Sequence, residues 1–398
     1  MKNKVSVLCK KIICVLLLVS IITGISNVEV SAKSSQYTAS DLEKVIDGIL
    51  AYKQNQSNVA SVQELIDNTL VKNAGKGSAE WFVIALSQYK DEYDYTKYHS
   101  ALSSYIKANK TIKATDMQRI ALAYSATGGN DKFIKKTIKD SIGKLGVMSY
   151  IYGLILLDAK SYTSTEYTRE KMVDEILSLR LSDGGWALSG KASDVDITAM
   201  ALQALAPYYK KSDVKAAVDE SLLLLSEKQL KNGDYKSWGT RSCESVAQVI
   251  TALSALNIDC QKDKRFIKNK KTIIDGLMLY KLKDGSFCHT IDGETNDTSS
   301  VQAMYALIAV WRQRNGMNSF YTFSNTGTSN SAIKDKGSTE QVNQVADTSA
   351  GNINSENLQA KMPIDINYKA MTSFLILIVV LMLLGIYLLR KNQKRIPR

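Results

Sequence analysis

A pattern that recurs three times constrains the fold more than any other feature of this chain. Each copy has a leucine, a glycine turn, an aromatic residue and then an alanine-rich apolar helix. The aligned leucines are Leu181, Leu230 and Leu282, the glycines are Gly184, Gly233 and Gly285, and the aromatic residues are Trp186, Tyr235 and Phe287. Repeats of about 50 residues are typical of stacked helical units that cannot bury their apolar faces alone.

Amphipathic helices alternate with helices that are apolar on most faces through residues 33–316. The amphipathic ones are predicted over 94–109, 131–142, 166–180, 213–229 and 264–281, and the apolar ones over 78–89, 119–126, 147–158, 195–206, 244–256 and 297–313. A closed double ring buries the apolar set best, because the amphipathic set shields it from water. The periodicity also permits an open solenoid. The predicted fold is all-α, with about six helix pairs.

The repeats resemble those of the squalene-cyclase and protein-prenyltransferase superfamily, whose fold is an α/α toroid. The stretch QLKNGDY at 229–235 is similar to the glutamine–tryptophan repeat of that superfamily, with Tyr235 in place of Trp. The resemblance is clear over 166–312 and implies the toroid, but one fold hosts unrelated functions. The apolar run at 197–205 also resembles the α/α-barrel domain of cobalamin carriers, which makes a corrinoid one option for a ligand. No cofactor is expected.

The sequence DVDITAMA at 194–201 resembles the D-x-D-D-T-A signature of class II terpenoid cyclases. Asp196 matches the middle Asp, which in that family protonates an alkene or epoxide, while Ile197 replaces the last acid. The residues themselves favour a structural role, because Ser193 and Asp196 stand at the spacing of a capping box. We therefore expect Asp196 to cap the helix and its carboxylate to titrate low. Asp194 and Asp196 are the only catalytic candidates.

Acidic residues also stand at the starts of the other apolar helices. In a ring these starts share one rim, so Glu80, Asp116, Glu244 and Asp297 predict either an acidic mouth that attracts a cation or a set of helix caps. The repeated aromatic residues either line a pocket or pack one repeat on the next. The candidate ligand-binding residues are Trp186, Asp194, Asp196, Tyr235, Glu244, Phe287 and Asp297.

Neither a metal site nor a disulfide framework is predicted from the cysteines and histidines. His99 and His289 form no dedicated ligand spacing with Cys243 or Cys288, so no zinc is expected. Cys243, Cys260 and Cys288 are an odd, sparse set downstream of the N-terminal segment, and a single pair among them remains open.

The two ends of the chain predict a membrane topology. Residues 1–32 combine a basic start, an apolar stretch and a small-residue cleavage site, which is typical of a signal peptide. The polar segment 317–370 predicts a flexible linker, 371–389 a transmembrane helix, and the basic residues of 390–398 a cytoplasmic tail. These segments place the 33–316 domain outside the plasma membrane. Much of the net charge of +12 lies in the two ends, so nucleic acid is not an expected partner.

Three functions are compatible with this organisation. We favour a bacterial-type cell-surface protein whose ring binds a small molecule or a partner without catalysis. The alternatives are an adhesive or structural protein of the envelope, and an enzyme of the terpenoid-cyclase or prenyltransferase type that uses Asp196 as its acid. The extracellular location disfavours the enzyme, because prenyl diphosphates are made inside the cell.

The predicted topology can be tested with protease added to intact cells. We expect the ring domain to be removed and a short C-terminal fragment containing 371–398 to stay with the membrane. A ring domain that is degraded only after lysis would contradict the topology.

Overall fold

The computed structural model describes residues 36–90 and 92–323. The helices are α1 Ala39–Ser57, α2 Val62–Glu64, α3 Ser78–Tyr89, α4 Thr96–Ala108, α5 Ala114–Thr127, α6 Asp131–Ser141, α7 Gly146–Ala159, α8 Arg169–Ser178, α9 Val195–Leu205, α10 Ser212–Lys228, α11 Cys243–Ala255, α12 Ile273–Met278 and α13 Asp297–Arg314. A π-helical turn at Leu65–Leu70 and a 3-10 turn at Val71–Asn73 extend α2, and further 3-10 turns lie at Ala206–Tyr208 and Lys264–Phe266. Two short strands, β1 Lys236–Ser237 and β2 Thr240–Arg241, form an antiparallel hairpin.

Six helices form a closed inner ring within the described residues. They are α3, α5, α7, α9, α11 and α13, and each packs against the next, while α13 also packs against α3. At this last contact the Tyr89 and Trp311 rings meet edge to face with centroids 5.2 Å apart. Arg312 Nη1 donates to the carbonyl of Gln88 at 2.7 Å. The chain therefore folds as an α/α toroid, and the open solenoid that the periodicity permitted is excluded.

The outer helices close the ring in a regular way. From α6 to α12, each outer helix contacts the inner helix of the preceding pair, and α1 contacts α13 in the same manner. The N-terminal helix α1 therefore occupies the place that the outer helix of a further repeat would take. Burial of both faces of the inner helices explains why they are apolar nearly all round.

The repeated glycine turn has the same geometry in all three copies. Gly184, Gly233 and Gly285 have φ of 93°, 88° and 94°, a region that favours glycine. In each turn the glycine N–H donates to the carbonyl of the leucine three residues earlier. This geometry confirms the repeat that the sequence predicts.

The end of the ring opposite the helix N-termini is covered by the segment that follows α13. Phe320, Tyr321 and Phe323 are at most 9% exposed, and the Phe323 N–H donates to the carbonyl of Ala159 at 2.8 Å. Ala159 ends α7, which stands across the ring from α13. Three aromatic side chains beyond the predicted boundary at 316 therefore belong to the core.

No described helix combines the length and the apolar character that a membrane span requires. The predicted signal peptide (1–32), membrane span (371–389) and basic tail (390–398) lie outside the described residues, as does the linker beyond Phe323.

Substitution of Gly285, whose turn packs closely against α1, should destabilise the ring strongly. A Cβ on Gly285 would stand 2.5 Å from the Gly48 carbonyl oxygen of α1. We expect Gly285→Ala to lower the free energy of unfolding by about 2–5 kcal/mol, from the positive φ and the backbone clash together. The measurement is urea unfolding of the full-length chain in mild detergent, followed by circular dichroism.

Gly190→Ala is the matched control, because Gly190 also has a positive φ but a Cβ there meets nothing within 4 Å. It should cost only about 1–2 kcal/mol. Equal losses in the two variants would contradict the close approach of the last repeat to α1.

Candidate functional site

The N-terminal ends of the inner helices share one rim. Arg119 of α5 donates from Nε to Glu80 of α3 at 3.1 Å and from Nη1 to Asp116 at 2.5 Å. Across the ring, Ser299 of α13 donates to Glu244 of α11 at 2.5 Å. These contacts place the starts of neighbouring inner helices side by side, as the sequence predicts.

A pocket of about 630 Å³ opens on this rim between α5, α7 and α9. Its walls are mostly aliphatic and thioether side chains, with two carboxyl groups on one side. The lining residues are Thr115, Leu145, Gly146, Val147, Met148, Leu188, Asp194, Asp196, Ile197, Met200 and Trp238. Its volume lies within the range of sites that hold small organic molecules.

An aromatic cluster in the centre of the ring lies beyond the pocket. The Tyr152 hydroxyl contacts the Met200 sulfur at 3.9 Å, and the Tyr152 ring lies 5.8 Å from that of Trp81. Trp81 is in turn 6.1 Å from Tyr305. Trp81, Tyr152 and Tyr305 lie on α3, α7 and α13, so the contact between Trp81 and Tyr152 crosses the interior of the ring.

Asp194 caps α9 and has all its bonds satisfied by the fold. Its Oδ1 accepts from the backbone N–H groups of Asp196 and Ile197 at 3.0 and 3.1 Å. Its Oδ2 accepts from the hydroxyl of Ser237 in the β1–β2 hairpin. Asp194 is 6% exposed. Its carboxylate thus serves as an N-cap and ties the hairpin to the start of the helix.

The carboxyl group of Asp196, unlike that of Asp194, is not fully satisfied by hydrogen bonds. Its Oδ1 is buried and has no hydrogen-bond partner. Burial raises the pKa of Asp196 to about 6, against a hydrogen bond with Ser245 that lowers it, and the negative charges of Asp194 and Glu244 raise it further. A buried carboxyl oxygen without a donor is costly unless something else binds there.

The predicted capping box of Ser193 and Asp196 is wrong. Asp194 is the N-cap, while the Ser193 hydroxyl is buried without a partner. The expectation that Asp196 titrates low fails with it, because Asp196 accepts none of the helix N–H groups and its burial disfavours the charged form. Ser193, Asp194 and Asp196 all have side chains that can cap a helix, and in the folded loop Asp194 is the one that does so.

The acidic mouth is also wrong as a source of free negative charge. Glu80 and Asp116 are bound by Arg119. Glu244 lies 2.8 Å from His289 Nδ1, and Asp297 lies 2.6 Å from Lys53 Nζ. The acids do lie at helix starts on one rim, but a basic side chain accompanies each of them. Neither Glu244 nor Asp297 lines the rim pocket.

The repeated aromatic residues do not line the pocket either. Trp186, Tyr235 and Phe287 are fully buried, and Trp186 Nε1 donates to the Ile176 carbonyl at 2.6 Å. Their burial places them in the core and away from the rim pocket. Of the predicted ligand-binding residues, only Asp194 and Asp196 face the pocket.

Cys243, Cys260 and Cys288 are free and buried. Among the residues that the structure describes, no three His, Cys, Asp or Glu side chains are grouped to hold a metal ion.

Sequence reasoning missed the apolar residues of the mouth. Trp238 is 71% exposed at the tip of the β1–β2 hairpin, and Leu188 is 63% exposed in the loop before α9. The available signal was the stretch KSWGT at 236–240, where Trp stands in a polar loop immediately before glycine. Met148 and Met200 gave no signal, because methionine in an apolar helix is typical of a core.

Comparisons with known proteins found no match to any protein-family profile and no match among curated protein sequences. Three similar solved structures are a possible GH105 family member from Salmonella enterica (TM-score 0.48, 10% identity, covering 70% of this chain and 95% of that one), unsaturated glucuronyl hydrolase from Bacillus sp. GL1 (0.48, 11%, 72% and 100%) and ent-copalyl diphosphate synthase from Streptomyces platensis (0.41, 16%, 60% and 50%). Likenesses this low assign neither a family nor an activity to the chain.

The raised pKa of Asp196 predicts a specific dependence of stability on pH. Between pH 3.8 and about 6 the folded chain binds a proton at Asp196 that the unfolded chain has released. This group therefore makes stability fall as pH rises through that window. At neutral pH its cost is on the order of 2–3 kcal/mol, so Asp196→Asn should be more stable than the wild type at pH 7.5 and close to it at pH 4. Urea midpoints of both chains at the two pH values test this.

Asp194→Asn is the control, since it removes the charge from the neighbouring cap and should lower stability at pH 7.5. A parallel loss in both variants at neutral pH would show that Asp196 stabilises the fold after all.

Proposed function

We propose that the ring is a binding module whose rim pocket takes a largely apolar small molecule carrying a hydrogen-bond donor or a cationic group. The observation that carries the proposal is the Asp196 carboxyl, whose Oδ1 is buried without a partner in a pocket otherwise lined by groups such as Met148, Ile197 and Met200. With a pKa of about 6 it is mostly ionised at neutral pH and acts as an acceptor. An alcohol or an ammonium group supplies the missing donor.

The lining argues against two other ligand classes. A sugar presents hydroxyl groups on all sides and would leave most of them unpaired against Val147, Ile197 and Met200. A whole corrinoid is too large for a pocket of about 630 Å³. The pocket favours a compact hydrocarbon body with one polar end.

We further propose that the ring is displayed at the cell surface, held by the apolar segment 371–389 with the basic tail inside. The support is the sequence pattern of the two ends alone. The module would then meet ligands from outside the cell or from the membrane itself.

A catalytic function is the second candidate, favoured by the same carboxyl. A buried acid with a pKa near the operating pH is suited to proton transfer. In the resemblance to class II terpenoid cyclases, Asp196 takes the position of the protonating acid. Ile197 leaves no second acid beside it, and the carboxyl group of Asp194 is fully engaged in the cap. We therefore rank binding above acid catalysis.

Three rigid probes of one shape separate the possibilities. 1-Adamantylamine, 1-adamantanol and adamantane-1-carboxylate share a compact apolar body and differ in the polar group. We expect binding in the order amine, alcohol, carboxylate, because Asp196 attracts a donor and repels a second carboxylate. The measurement is the shift of the melting temperature of the full-length chain in lipid nanodiscs, since a ligand of the folded state raises it.

The preference for the amine should disappear in Asp196→Asn and persist in Leu223→Ala, where Leu223 is an exposed residue of α10 outside the pocket. No shift with any probe, or a preference for the carboxylate, would contradict the proposed site. Consumption of a polyprene such as squalene by the wild type but not by Asp196→Asn would instead support acid catalysis.

A further inference from the structure

An exposed tryptophan is held at the mouth of the pocket in a costly conformation. Trp238 and Gly239 form the two-residue loop of the β1–β2 hairpin, and both have positive φ, 50° and 83°. Such loops prefer Asn, Asp or Gly at the first position, since a bulky side chain is strained there. Trp238 nevertheless stands there, 71% exposed. Strain of this kind at an exposed aromatic residue points to a contact made outside the ring.

Two exposed leucines accompany this tryptophan. Leu145 precedes α7 and is 50% exposed, and Leu188 is 63% exposed. Both line the same pocket as Trp238. Three separate loops thus present a large apolar side chain to solvent around one opening. Clustered exposed apolar groups mark an interaction site, whereas single ones are ordinary.

The segments that flank this opening carry basic side chains and no acids, while the carboxyl groups of Asp194 and Asp196 lie inside the pocket. The segments 110–115, 143–147, 187–193 and 236–241 contain no acidic residue. Their basic residues are Lys110, Lys113, Lys144, Lys191, Lys236 and Arg241. Arg241 pairs with the buried Asp234. Lys144, Lys191 and Lys236 are exposed, and within the described residues none of the five lysines forms an ion pair.

We propose that this face rests on the surface of an anionic lipid bilayer. The docking face consists of Leu145, Leu188 and Trp238 with the flanking Lys144, Lys191 and Lys236. Trp and Leu side chains enter the boundary between headgroups and acyl chains, and lysines beside them bind anionic headgroups. An anionic lipid surface accommodates both the exposed apolar side chains and the unpaired lysines.

The docking face fits a membrane better than an aqueous protein partner. Its apolar residues stand at the tips of separate loops around a hollow, so they offer no continuous surface for close packing. A bilayer adapts to separate tips, and tryptophan is enriched at the membrane interface. The pocket would then open towards the lipid, where apolar molecules dissolve. Docking itself does not depend on the pocket binding a ligand.

Depth-dependent quenching tests the proposal with the full-length chain. The chain is reconstituted into vesicles of phosphatidylglycerol and phosphatidylcholine whose acyl chains carry bromine, and tryptophan fluorescence is recorded. Of the four tryptophans, Trp238 is the most exposed, and Trp186 is fully buried. We expect bromine to quench the wild type and to have several-fold less effect on Trp238→Phe. Any membrane tether at 371–389 is common to both chains and cancels in the comparison.

Charge reversal supplies the matched pair of variants. The triple variant Lys144→Glu, Lys191→Glu, Lys236→Glu should lose most of the quenching, as should the wild type in vesicles of phosphatidylcholine alone or at high salt. The triple variant Lys132→Glu, Lys135→Glu, Lys139→Glu has the same charge change on exposed positions of α6 and should keep it.

Two results would overturn the proposal. The first is quenching that is absent, or that survives unchanged in Trp238→Phe or in the first triple variant. The second is protection of Trp238 from aqueous acrylamide in detergent, rising with protein concentration, which would assign the docking face to a second copy of the chain.

Discussion

Closure of the inner ring is the constraint on which the rest of this structure depends. Each inner helix is apolar on nearly every face, so it needs neighbours on both sides and an outer helix behind it. An open row of such helices would expose one apolar flank at each end. The contact of α13 with α3, and of α1 with α13, removes both flanks at once. The N-terminal helix thereby completes a repeat whose other parts come from the C-terminal half.

The two ends of the closed ring differ in what covers them. At one end the chain itself crosses from α13 to α7, and Phe320 and Phe323 become part of the core. At the other end the helix N-termini meet, and the loops between them leave a pocket. The aromatic side chains of Trp81, Tyr152 and Tyr305 form a chain of contacts from Met200 of the pocket to Phe320 of the covered end. A ligand therefore has access from the rim, where the carboxyl groups and the exposed tryptophan are.

Asp194 and Asp196, which are separated by one residue, have different roles at this rim. Asp194 receives two backbone N–H groups and the Ser237 hydroxyl, so its charge stabilises the start of α9. Asp196 lies two residues further along the chain, where its carboxyl is buried near other acids and keeps an unsatisfied oxygen. A fold selected for stability alone would place an apolar or amide side chain there. The cost at Asp196 is the strongest physical indication that the rim pocket has a function.

The sequence by itself determined the local features of this protein. The spacing of apolar residues defined the inner and outer helices, and the leucine, glycine and aromatic residues at 181–186, 230–235 and 282–287 defined the repeated turn, because both depend on neighbours within one element. Tertiary structure decided the closure of the ring, the pairing of Glu80 with Arg119, and the burial of Asp196. Ser237, Glu244 and Ser245 reach the two aspartates from more than forty residues away. A carboxyl's role as cap or free acceptor depends on such neighbours, and only the closed ring brings them together.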